Sequence, residues 1–171
     1  MNIGIISHNN KKELIENFCI AYKKILSKHT LYATGVTGRR IEEATNLKVN
    51  KFLAGSVGGD RQFMEMISDN QMDMVIFFYN PLMAAREKPD IYAIMDLCDT
   101  FCIPMATNIA TAEALIMGLE HGDLEWRIDL DKAGKDRAGI VSVLELKALY
   151  LRKKIPFGNE DFQISERYFF V

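Results

Sequence analysis

Apolar positions cluster in five short runs: Ile3 to Ile6, Leu31 to Thr34, Val49 to Leu53, Met74 to Tyr79 and Ile103 to Thr107. Each is rich in β-branched or aromatic residues and short enough to read as a strand. Between them the apolar period lengthens. Leu14, Phe18, Tyr22 and Ile25 share one helical face, and Ile91, Ile94, Leu97, Cys98 and Phe101 share another. Strands alternating with helices predict a parallel sheet with helices on both sides. The run Val75 to Tyr79 is apolar on both of its faces, as a central parallel strand must be. After Arg127 the pattern changes. Asp129 to Gly139 reads as a solvated connection into a helix near Val141 to Lys154, followed by an aromatic tail. The expected division is therefore a domain over residues 1–128 and an extension over 129–171, its tail docked on its own domain or strapped across a neighbouring subunit.

In parallel sheets ligands collect beyond the carboxyl ends of the strands, where helices open with unpaired N–H groups. Those ends here read SHNNKK, ATGVTGRR, AGSVGGDRQ, FYNP and ATNIATAE. The loop Thr34-Gly35-Val36-Thr37-Gly38 fits neither the Walker A pattern nor the dinucleotide fingerprint. It reads either as a phosphate cradle of backbone N–H groups and threonine hydroxyls or as an ordinary strand-to-helix turn with two capping threonines. Lys12 supplies the point charge that the first reading needs. Gly55, Gly58 and Gly59 bring a second loop close, and Asp60 behind them is either an N-cap or a general base at a pocket rim. His8, just past the first strand, is either a hydrogen-bonded structural residue or part of the same site.

Net charge of −2 with interspersed signs argues against nucleic acid and against a polybasic membrane surface, and no apolar run reaches the length of a bilayer span. A small molecule or a protein is the expected partner. The N-terminus lacks the basic and small-residue flanks of a secretion signal, so the expected location is the cytoplasm. Cys19, Cys98 and Cys102 have no zinc-like spacing and read as reduced packing thiols, with no metal site.

Taken in order, the segments LYATGVTG, VGGDRQ, VIFFYNPL, KPD, IPMATNIATAE and GLEHGDLEWR resemble methylglyoxal synthases, from about Ile3 to Arg127. The resemblance implies a three-layer α/β domain, Rossmann-like, assembled as a homohexamer. It also implies an activity needing no cofactor: elimination of phosphate from dihydroxyacetone phosphate to give methylglyoxal and inorganic phosphate. By residue match, Asp60 is the implied base, with His8 and Asp90 completing the catalytic set. Lys12, Thr34, Gly35, Val36, Thr37, Ala54, Gly55 and Glu87 fall at the substrate and phosphate positions.

The chain departs from the family pattern at those same positions. Asn9 and Asn80 stand where aspartates are usual, Val36 and Ala54 where hydroxyls are usual, and Glu87 where a histidine is expected to polarise the substrate carbonyl. An amide keeps shape and hydrogen bonding but takes no proton as a base. Each lost hydroxyl-to-phosphate bond costs about 1.5–3 kcal/mol. Arg39, Arg40, Arg61 and Ser56 flank the glycine loops as candidate compensation. Two functions follow: a synthase, or an anion-binding regulatory module of the kind that the same fold resembles in the large subunit of carbamoyl phosphate synthetase.

Overall fold

A computed structural model describes residues 1–82 and 90–127. Its elements run β1 (Asn2–Ser7), α1 (Lys12–Ala21), α2 (Lys23–Leu26), β2 (Thr30–Ala33), α3 (Gly35–Thr45), β3 (Val49–Lys51), α4 (Gly59–Ser68), β4 (Met74–Phe78), α5 (Ile91–Thr100), β5 (Met105–Ala106) and α6 (Ile109–Glu120). The five strands pair in the order β3-β2-β1-β4-β5, all parallel. This is the α/β three-layer architecture expected.

Side chains alternate across a strand, so β1 and β4 divide their residues between two cores. Ile3, Ile5, Met74, Ile76 and Phe78 pack on one face with Ile15, Phe18, Ile41 and Ile116, which come from α1, α3 and α6. Ile6, Val75 and Phe77 pack on the other with Phe63, Ile67, Ile91 and Ile94 from α4 and α5. Both central strands are fully buried beyond Asn2, which is why their sequences read as continuous apolar runs.

Two expectations shift in detail. The first helical face breaks at Tyr22, where the chain steps from α1 into α2. The innermost residues are Ile15, Phe18, Cys19 and Leu26, while Leu14, Tyr22 and Ile25 pack at the margin. The edge strands are shorter than their apolar runs. Phe52 and Leu53 leave β3 to form the loop toward α4, although Phe52 N–H still donates to Ala33 O at 2.9 Å. The expected extension over 129–171 lies outside the described residues.

At the amino-terminal edge of the sheet, Arg127 is only 1% exposed. Its guanidinium donates to the carbonyls of Phe101, Cys102 and Met72 and to Asn70 Oδ1, at 2.7 to 3.2 Å. Its Nε lies 3.6 Å from Asp73 Oδ1, and the other oxygen of Asp73 accepts from Asn2 N–H at 2.7 Å. One side chain thus ties the turns that precede β4 and β5 to the start of β1. Arg127→Met leaves those acceptors and the Asp73 carboxylate without it. The expected loss is about 3–5 kcal/mol of stability, read as a lower urea midpoint.

Candidate active site

Strand order runs outward from β1 to β2 and β3, then returns to place β4 on the opposite flank of β1. Such a reversal parts the loops above the sheet and leaves a crevice at the carboxyl ends of the two strands. Lys12, the first residue of α1, sits there and is 8% exposed. Its ammonium donates to Ser7 O and to Thr37 Oγ1, both at 3.1 Å. Burial holds its pKa below the ordinary lysine value, Arg40 pushes it the same way, and Glu16 partly opposes. Thr34 donates its hydroxyl to Thr37 Oγ1 at 3.2 Å. Thr37 oxygen therefore accepts from two donors, which turns its own O–H outward to donate to a third group.

The two glycine loops meet at their backbones. Gly35 N–H donates to Leu53 O at 3.1 Å, and a side chain at Gly35 would come within 3.0 Å of Phe52 O. Its contribution is close approach, since its own N–H is already engaged. The first-turn N–H groups of Val36 and Thr37 remain, as at any helix start, without an intrahelical acceptor. Gly58 adopts φ 101°, and any Cβ on Gly59 would overlap the Leu53 carbonyl. Ala54 O accepts from the N–H groups of Val57 and Gly59 at 2.9 and 3.1 Å, fixing the turn over Gly55–Val57. Asp60 then falls in the first turn of α4 and is half-buried. Gly58, not Asp60, is the N-cap, and Asp60 Oδ1 accepts from Arg61 N–H at 2.9 Å.

On the other side of the crevice, His8 is 1% exposed. Its ring meets Phe77 edge-on at 5.1 Å between centroids, and its Nδ1 accepts from Asn80 N–H at 3.0 Å. Asn80 Oδ1 in turn accepts from Leu82 N–H at 3.1 Å. Asn9 is exposed in the turn over Asn9–Lys11. Asp90 caps α5, accepting from Tyr92 N–H at 3.0 Å. Glu87 lies outside the described residues.

Two of the arginines considered as compensation have carboxylate partners. Arg40 is paired with Glu16, and Arg61 with its helical neighbour Glu65 at 3.0 Å, and these two arginines, like Arg39, are exposed. These pairings draw Arg40 and Arg61 onto neighbouring helix carboxylates. Sequence reasoning also passed over Ser7. Its carbonyl anchors Lys12, it is 3% exposed, and its hydroxyl has no hydrogen-bond partner among the described residues. A serine ending an otherwise apolar strand was the available signal.

Fold and site together define a parallel α/β domain with a buried lysine and two buried threonines at the switch point of its sheet. A family model described as the MGS-like domain matches residues 14–107. The chain is 60% identical over 127 residues to a methylglyoxal synthase of Caldicellulosiruptor saccharolyticus, spanning 74% of this chain and 90% of that protein. It is 55% identical over 132 residues to one of a Thermoanaerobacter species, spanning 77% of this chain and all of that protein. The crystal structure of a methylglyoxal synthase from Elizabethkingia anophelis superposes with a TM-score of 0.64 at 36% identity, covering 67% of this chain and 76% of that one. The chain belongs to the methylglyoxal synthase family.

The lowered pKa of Lys12 has a signed consequence. Between the lowered value and 10.5 the unfolded chain binds more protons than the folded one, so this lysine's contribution to stability rises with pH across that window. Urea unfolding of wild type against Lys12→Met at a series of alkaline pH values is expected to show that rise only in wild type.

Proposed function

We propose that this protein is a methylglyoxal synthase, converting dihydroxyacetone phosphate to methylglyoxal and inorganic phosphate. Asp60 removes a proton from the hydroxymethyl carbon, giving an enediolate. The carbon–oxygen bond to phosphate then breaks, the electron pair leaves with phosphate, and the enol left behind tautomerises to methylglyoxal, gaining a proton at carbon and losing one from oxygen. Lys12 and the hydroxyls of Thr34 and Thr37, with the backbone around Gly35, Val36, Ala54 and Gly55, hold the leaving phosphate. His8 and Asp90 complete the catalytic set, with Glu87 beside the substrate. The carrying observation is the identity of 51–60% to proteins named methylglyoxal synthase, over about three quarters of this chain.

The geometry supports this use. A buried ammonium facing neutral oxygens and the first turn of a helix is suited to an anion. The reaction needs one base, and Asp60 provides it from a turn in which Gly59 packs directly against the Leu53 carbonyl. Among the described residues no helix is long and apolar enough to cross a membrane, and no group of three His, Cys, Asp or Glu is placed to hold a metal ion. A cytoplasmic location and a homohexameric assembly belong to the same proposal.

Incubation with dihydroxyacetone phosphate is expected to release methylglyoxal and phosphate in equal amounts, and Asp60→Asn to lower the rate by roughly 10²–10⁴-fold. No release from folded wild-type protein that still binds phosphate would return the regulatory reading. Val36 is 38% exposed in the first turn of α3, where threonine has nearly its shape. Val36→Thr adds one hydroxyl toward the phosphate and is expected to lower KM by about tenfold or more, measured in the same assay.

A further inference from the structure

β1 and β4 pair with Ser7 opposite Phe78, and the ladder continues one step past the strands as His8 N–H donates to Phe78 O at 3.0 Å. In a parallel ladder the next bond would run from Asn80 N–H to the His8 carbonyl. That carbonyl instead accepts from Lys11 N–H at 3.0 Å, because the chain has already turned toward α1. The imidazole takes the vacated role: Asn80 N–H reaches His8 Nδ1 at 3.0 Å. A nitrogen that accepts an N–H carries no proton of its own, so the ring proton sits on Nε2. Asn80 holds its N–H there through its side chain, whose Oδ1 accepts from Leu82 N–H and closes an Asx turn over Pro81. The His8 ring is further fixed edge-on against Phe77 and Tyr79.

We infer that Asn80 is a positioning residue: its main-chain N–H, steadied by its own side-chain turn, selects the neutral tautomer of His8 that carries its proton on Nε2. His8 then enters the site as an uncharged hydrogen-bond donor with a fixed direction. The amide at position 80 serves this role as well as a carboxylate would, since either oxygen accepts the Leu82 N–H. Only the kinetic arm of the test rests on the synthase reading.

The full chain, labelled with ¹⁵N-histidine, is examined by two-bond ¹H–¹⁵N correlation at pH 8, with the His8 signals identified among the three histidines by their loss in His8→Gln. The expected result is an unprotonated Nδ1 and a protonated Nε2. Asn80→Ala is expected to give a mixture of tautomers and a kcat about tenfold lower, the effect of one hydrogen bond, with KM changed far less. Asn80→Asp, which keeps the turn, is expected to restore the wild-type signature. A protonated Nδ1 in wild type, or an unchanged signature in folded Asn80→Ala, would overturn the inference. The wild-type spectrum requires neither a variant that folds nor any turnover, so failure of the synthase reading leaves the tautomer result standing.

Discussion

Because β1 pairs with β2 along one edge and with β4 along the other, its carboxyl end is the point where both halves of the chain meet. The pairing with β4 is bonded from Ile3 to Ser7 and prolonged by His8, and it carries both cores on its two faces. Everything used in the site is positioned by it. Ser7 O holds Lys12, His8 holds the turn after β4, and α1 and α3 pack together over one face of β1. A shift of the β1–β4 pair by one residue would exchange the two cores and take Lys12 away from Thr37 at once.

The second constraint is electrostatic. Burying an ammonium among neutral oxygens is costly, and here its neighbours divide: Arg40 repels it and Glu16 attracts it less strongly. Among the described residues no carboxylate lies within ion-pairing distance of Lys12. The depressed pKa records that cost, since burial disfavours the charged form. Two threonines share the same hydrogen-bond chain, so the arrangement is a rigid row of donors rather than one mobile lysine. Arg40 is paired with Glu16, and of these two charges only Glu16 favours the protonated Lys12.

The parallel sheet and its two-sided helices were legible because burial on both faces writes itself as uninterrupted runs such as Val75 to Phe78. The glycine loops were legible too, as clusters of residues that permit close backbone approach. What each glycine does was not. Gly35 looked like a donor of its N–H, but that N–H goes to Leu53, a residue on a neighbouring loop that no local pattern connects to it. Arg40 and Arg61 looked available for phosphate, and their carboxylate partners emerge only when α1 packs beside α3 or when α4 takes its helical spacing. Asp60 read as a cap or a base, and its place in the first turn of α4, with Gly58 as the N-cap, removes the first of those readings. Asp90, by contrast, matched the family as a catalytic group and is also the cap of α5, two roles that one sequence position does not separate.

The substitution at position 80 shows how a change that looks chemical in sequence can be conservative in structure. Asparagine for aspartate removes a negative charge and a potential base, but the geometry in which residue 80 takes part uses a main-chain N–H and one side-chain oxygen, and both survive. In the proposed synthase, the charge lost is one that would repel a bound phosphate. By Coulomb's law, a carboxylate a few ångströms from a bound phosphate in a partly buried crevice is repulsive by an amount on the order of a few kcal/mol. Its replacement by an amide lightens that repulsion, in the direction opposite to the loss of hydroxyls at Val36 and Ala54. If the proposed function holds, the departures at the site do not all weaken phosphate binding. On the same reading, the proposed anion site leans on the buried Lys12 and on His8 more than on hydroxyls and carboxylates.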